Sequence, residues 1–152
     1  MNDQNTAPKE PSHSHETLLA AGWELLDTGA FIELVGNVYV KQDGEDIRYG
    51  FISGQKHQNR RGVLHGGVLA AFADRALAMA GRRVNDDMPQ ATIELSLRFI
   101  DAVQIGEFVE STQEVVRKTR SVIFVRGTLM VGPRVIATAD GIWKILTPRQ
   151  SK

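Results

Sequence analysis

Most of the chain beyond residue 90 alternates between apolar and polar positions with a period of two, which predicts strands. From Thr92 to Ile100 the alternation is clean. Ile93, Leu95, Leu97 and Phe99 fall on one face, and Thr92, Glu94, Ser96 and Arg98 on the other. Phe108 to Lys118 is rich in valine and threonine with a blurred alternation, and Val122 to Val131 puts Ile123, Val125, Leu129 and Val131 on one face. Gly132-Pro133 reads as a tight turn, after which Val135, Ala137, Ala139, Trp143 and Ile145 share a face up to Leu146. An earlier pair, Asn37 to Lys41 and Ile47 to Ile52, is separated by Gln42-Asp43-Gly44-Glu45 and predicts a first hairpin. Between the hairpin and these four strands the period changes. Val68 to Ala80 is apolar on nearly every side and rich in alanine, which predicts one helix from about Gly66 to Arg82, buried all round. Gly81-Arg82-Arg83 suits its carboxyl end. Thr17 to Val35 carries short apolar clusters broken by Gly22 and by Asp27 to Gly29, enough for a short helix or strand laid on the body.

One long apolar helix beside about six strands predicts an α+β fold with the sheet curled around the helix. At 152 residues the chain can bury a core as a single domain, expected over residues 16–148. Residues 1–15 are polar, contain Pro8 and Pro11 and lack an apolar period, so a disordered tail is expected there. His13 and His15 have too few companion ligands to predict a metal site. Lysine plus arginine and aspartate plus glutamate both number 18, leaving no bulk charge to attract nucleic acid or an anionic membrane. Without cysteine, thiol nucleophiles, disulfides and cysteine-ligated metals are excluded, which agrees with a reducing compartment. No apolar run approaches the ~18 residues of a spanning helix, and no secretory pattern opens the chain. A cytoplasmic, soluble domain is the expectation.

The candidate chemistry gathers at the start of the long helix. His57-Gln58-Asn59-Arg60-Arg61-Gly62-Val63-Leu64-His65-Gly66-Gly67 is polar and turn-rich and leads directly into Val68 to Arg75. Open backbone N–H groups at a helix start favour negative charge or a polarised carbonyl, so the Gly66 N–H is a candidate oxyanion donor. A simple glycine turn is the alternative. Asp74 interrupts the apolar helix. Its neighbours three and four positions away are Ala70, Ala71, Leu77 and Ala78, none able to pair with it, and Arg75 is expected to point elsewhere. An acid without a local partner predicts either a salt bridge to a distant arginine (Arg60, Arg61 or Arg98) or a catalytic carboxylate. Arg117, Lys118 and Arg120 cluster in a hairpin and suit either the phosphates of a ligand or solvent.

With this element order and His-Gly-Gly at the helix start, the chain resembles the hotdog fold. More narrowly it is similar to the phenylacetate-type (PaaI-like) acyl-CoA thioesterases of the hydroxybenzoyl-CoA thioesterase superfamily. The resemblance covers roughly Phe31 to Leu146. Its core is His57-x-Asn59-x-x-Gly62-x-x-His65-Gly66-Gly67-x₆-Asp74, followed by Thr92 to Phe99 and Ile105-Gly106-Glu107. Asp101-Ala102 stands where the family often has a proline. The resemblance implies that Asp74 is general base or nucleophile, that Asn59 helps place the thioester, that His65 shapes the site, and that Thr92 orients the attacking water. Gly67, Arg120 and Ser121 are then expected to contact substrate, with no metal and no cofactor beyond the CoA of the substrate. Taken alone, Asn59 reads as a turn residue, His65 as a helix cap, a core histidine or a leaving-group contact, and Thr92 as an ordinary strand residue.

Asp74 lies eight residues past Gly66, ~12 Å along a helix, too far for both to act on one thioester from one chain. Two antiparallel copies of the helix about a two-fold axis bring one chain's Gly66 toward the other's Asp74, which predicts a homodimer with two composite sites. The resemblance adds pairing of dimers into a homotetramer. The expected function is hydrolysis of an acyl-CoA to free acid and CoA. The competing expectations are a hotdog hydratase or dehydratase acting on acyl thioesters, and a non-catalytic acyl-CoA-binding module.

Overall fold

The computed structural model describes residues 13–147. Seven strands form one antiparallel sheet around a single long helix. Along the chain come α1 (His15–Ala20), β1 (Glu24–Leu25), α2 (Ala30–Val35), β2 (Tyr39–Asp43) and β3 (Asp46–Ile52). A short 3₁₀ turn (Gln55–His57) leads to α3 (Gly66–Arg83), then β4 (Gln90–Phe99), β5 (Phe108–Lys118), β6 (Val122–Val131) and β7 (Arg134–Ile145). The sheet order is β1-β2-β3-β5-β6-β7-β4, so β4 is an edge strand although it directly follows the helix. Most of the tail expected over residues 1–15 lies outside the described residues. Its end does not: Ser14 caps α1, and His15 Nδ1 meets the Tyr39 hydroxyl at 3.0 Å.

The expected α+β architecture is present, but α3 is not buried on all sides. Its buried residues are Leu69, Phe72, Ala73, Ala76, Leu77, Ala80 and Gly81, a stripe at three- and four-residue spacing that faces the sheet. The sheet covers one face and leaves the small residues of the other partly open. At Gly127 of β6 a β-carbon would stand 2.8 Å from Leu77 Cδ1 and 2.9 Å from the Thr112 carbonyl oxygen. Only glycine allows the helix so near the strand.

Two alternations expected from sequence are broken by β-bulges. Between Leu129↔Ala137 and Met130↔Val135 the residue Ile136 is extra. Ile136 is therefore buried, whereas Val135, expected to face inward, is exposed. In β4 the pairs Thr92↔Trp143 and Glu94↔Ile142 leave Ile93 extra, and Ile93 is 58% exposed. A third bulge, at Val116, accounts for the blurred pattern of β5.

Candidate functional site

The approach to α3 is built from the glycine-, histidine- and asparagine-rich loop. His57 is buried; its Nδ1 accepts from the Gly54 N–H at 2.9 Å, and its Nε2 donates to the Val35 carbonyl. That pair of partners requires the tautomer with the proton on Nε2. Asn59 Oδ1 accepts from the Arg61 N–H at 2.8 Å, closing a turn that Gly62 completes with φ +84°. The turn role expected for Asn59 is thus real, and it fixes the amide plane of the side chain. The Leu64 N–H donates to Val103 O and the His65 N–H to His57 O, locking the loop to the body.

His65 is the helix cap. Its Nδ1 accepts from the Gly67 N–H at 2.8 Å, while its carbonyl accepts from the Val68 N–H at 3.0 Å. Those bonds occupy the second and third donors of α3. The first, the Gly66 N–H, has no acceptor among the described residues. The Phe99 ring flanks it, and a β-carbon on Gly66 would lie 3.2 Å from that ring. Gly67, by contrast, is engaged with its own cap.

Two turns further along, Thr92 Oγ1 donates to Asp74 Oδ1 at 2.7 Å. The bulge at Ile93 makes this contact possible. Thr92 stands opposite Trp143, which faces the core, whereas Glu94 stands opposite outward-facing Ile142. Strict alternation would have kept Thr92 on the face of Glu94, Ser96 and Arg98, away from the helix. Asp74 has no ion pair among the described residues; Arg98 instead pairs with Asp140 at 3.2 Å. The carboxylate and hydroxyl open on a cavity of about 460 Å³ whose wall also includes Phe31 and Ile32 of α2, Arg75, Arg82 and Trp143. That is within the ~300–1,000 Å³ of ordinary small-molecule sites.

A half-buried carboxylate held by a hydroxyl lines this cavity together with α2, whereas the unoccupied helix-start N–H of Gly66, with His65 and Asn59, lies outside its lining. Residues 61–137 match the thioesterase superfamily. The chain belongs to this superfamily. A curated Pseudomonas aeruginosa relative, named "Putative esterase PA0474", is 28% identical over 124 residues, covering 80% of this chain and 92% of its own length. Mouse acyl-coenzyme A thioesterase 13 is 24% identical over 70 residues, 46% of this chain and 50% of its own. Among solved structures, the conserved protein PA5202 from Pseudomonas aeruginosa superposes with a TM-score of 0.71 at 26% identity, covering 78% of this chain and 95% of that one. The architecture is the hotdog fold.

Within this thioesterase-superfamily fold, the remaining sequence candidates stand apart from the cavity. Arg120 and Ser121 lie at the β5–β6 turn, Arg120 exposed and the Ser121 carbonyl accepting from the Ile145 N–H at 2.8 Å. Neither lines the cavity of Asp74. Lys118 Nζ donates to the Val84 carbonyl, near the carboxyl end of α3. Arg75, expected to point elsewhere, is in fact part of the cavity wall, with Nη2 donating to the Asp27 carbonyl at 3.2 Å. Sequence reasoning also missed Arg82, Trp143 and the α2 residues. Arg82 carried a usable signal, since it lies eight residues from Asp74 on the same helical stripe.

Proposed function

We propose that this chain hydrolyses acyl-CoA thioesters to a free acid and CoA, as a PaaI-like member of its superfamily. The hydrogen bond between Thr92 and Asp74 at the mouth of the cavity carries this reading. Thr92 fixes one carboxylate oxygen and leaves the other to receive a proton from water. That water adds to the thioester carbonyl carbon while the oxyanion forms against a Gly66 N–H. The tetrahedral intermediate then expels the CoA thiolate, which takes the proton held by Asp74, and the carboxylate is regenerated. Direct carboxylate attack through an anhydride is the same site's other route. The amide nitrogen of Asn59 and Nε2 of His65, whose other polar ends are engaged in the loop, are the groups left for the thioester and the leaving sulfur.

The two halves of this machinery sit ~12 Å apart along α3, so the reading includes a homodimer, and by family likeness a dimer of dimers, in which partners exchange halves. Support comes from the apolar surface that a second copy would cover. Phe31 is 66% exposed, Leu34 79%, Phe99 59% and Ile100 58%, and β4 is an open sheet edge. Within one chain His65 stands at the helix start and not in the cavity with Asp74, and thiol release set against a change in enoyl absorbance separates this reading from a hydratase. No helix among the described residues is long and apolar enough to cross a membrane.

The test is thiol release, followed with a chromogenic reagent, across aryl, short-chain and long-chain acyl-CoAs. Hydrolysis of at least one class is expected; binding of all classes without thiol release would sink the reading. Thr92→Val keeps the shape of the side chain but removes the hydroxyl. A hydrogen bond to a charged group is worth ~1.5–3 kcal/mol, so turnover should fall about tenfold to a hundredfold, with recovery in Thr92→Ser. Equal turnover for the valine and wild-type proteins would remove Thr92 from the site.

A further inference from the structure

Three of the four buried side-chain polar atoms without a hydrogen-bond partner among the described residues are carried by residues that line the Asp74 cavity. They are Arg75 Nε, Arg82 Nε and Trp143 Nε1. All three are donors. Trp143 is 1% exposed, so its indole N–H has no access to bulk water to compensate. Arg82 Nε forms a loose ion pair with Asp87 Oδ1 at 3.9 Å, too long for a hydrogen bond, in which the Arg82 side chain is 39% and that of Asp87 84% exposed. Leaving a buried donor unsatisfied costs ~1–3 kcal/mol, and charged donors more. Unpaired donors clustered on one cavity mark where an acceptor belongs.

The charges point the same way. Arg75 is held below the usual arginine range, first by burial and then by the nearby charge of Arg82, with Asp27 and Asp74 among the groups opposing the shift. Two guanidinium groups thus repel one another along a cavity in which Asp74, at its other end, is the one carboxylate of the lining. Asp74 lies at the chemical end, whereas Arg82 lies eight residues on, ~12 Å along α3, with Ala78 between them on the same stripe. Ala78, Phe31 and Ile32 give the stretch between a largely apolar lining suited to methylenes.

Resting on the thioesterase reading above, we propose that the acyl group this cavity takes ends in a carboxylate: an ω-carboxyacyl-CoA, with its thioester at Asp74 and its free carboxylate among Arg82, Arg75 and the Trp143 N–H. Guanidinium forks match carboxylates in geometry and charge, and a site built around such donors rejects the analogue that lacks the acceptor. The neutral acyl chain of equal length leaves the donors unpaired and buries them more deeply.

The experiment compares kcat/KM for suberoyl-CoA with octanoyl-CoA, and for adipoyl-CoA with hexanoyl-CoA, in the wild-type protein and in Arg82→Met and Arg75→Met. Folding of each variant is checked by its circular-dichroism melt. The wild type is expected to favour the carboxylated member of at least one pair by about tenfold or more, mostly through KM. In either arginine variant that ratio should fall toward one. Thiol release from octanoyl-CoA at least as efficient as from suberoyl-CoA, together with the same result for the shorter pair, overturns the inference and leaves the thioesterase reading standing. So does a preference that survives both substitutions. The methylene-bridged, non-hydrolysable analogues of suberoyl-CoA and octanoyl-CoA, titrated by calorimetry, separate the other case. Tighter binding of the carboxylated analogue with no thiol release from any ester supports the inference and defeats the reading on which it was placed.

Discussion

Asp74→Asn is expected to lower thiol release by about 10²–10⁴, the range associated with loss of a positioned general base. The substitution changes charge and basicity with little change of shape. Asparagine still offers an oxygen to the Thr92 hydroxyl, so the contact that holds the side chain at 2.7 Å can persist. Asp74 forms no ion pair among the described residues and is only half-buried, and its support of the Arg75 charge ranks behind that of Tyr49 and Asp27, so little pairing is lost with it. The thermal melt and the sedimentation profile should therefore match the wild type while turnover collapses. Near-normal turnover would rule Asp74 out of the chemistry and leave the cavity as a binding site alone. A variant that melts early would mark the carboxylate as structural, contrary to its exposure and partners.

The fold was legible where periodicity is long and clean. The hairpin of β2 and β3, the helix from Gly66 and the four later strands all follow from spacing and turn residues, because patterning largely decides element type. Burial was less legible. An alanine-rich helix apolar on every side predicts complete enclosure, yet sequence alone cannot say whether a face meets the chain's own sheet, a ligand or another copy. Here the sheet takes the stripe from Leu69 to Gly81, and the opposite side, carrying Ala71, Asp74 and Ala78, opens on the cavity.

The bulges at Ile93 and Ile136 had no sequence signal, since each inserts one residue without glycine or proline to mark it, and the one at Val116 showed only as a blurred alternation. Their effect is local at Val116 and Ile136, but at Ile93 it decides the site. Alternation places Thr92 with the solvent-facing residues, which conflicts with the catalytic contact implied by family likeness. The bulge resolves the conflict by turning Thr92 toward α3 while Leu95 and Leu97 keep their inward positions. Trp143 was placed correctly on the inner face of β7, but nothing in the pattern tells a wholly core tryptophan from one that also lines a cavity. Arg75 was misread for a simpler reason. Neighbours on a helix diverge by ~100°, which separates their directions, yet a wide cavity can accept both.

The second large effect expected is at Gly66, where the reacting group is a backbone N–H and the informative substitution is proline. Proline is well tolerated at the first position of a helix, where the N–H makes no intrahelical bond. The residue before a proline must be extended, and His65 already has φ −70° and ψ 133°. Gly66→Pro therefore deletes the proposed oxyanion donor with the helix kept, although the Phe99 ring 3.2 Å from the new β-carbon must shift slightly. Loss of one oxyanion donor typically costs ~10²–10³ in rate, and that fall in kcat is expected, measured beside an unchanged melt. Paired with Asp74→Asn, the variant also tests the composite site. Each variant alone is nearly inactive. Unfolded together in equal amounts and refolded, they should form mixed dimers in which one site takes Gly66 from one chain and Asp74 from the other, both intact. Random pairing makes half the dimers mixed with one good site each, so about a quarter of wild-type activity should return. If both groups served one thioester from the same chain, no active site would be assembled and the mixture would stay as inactive as its components.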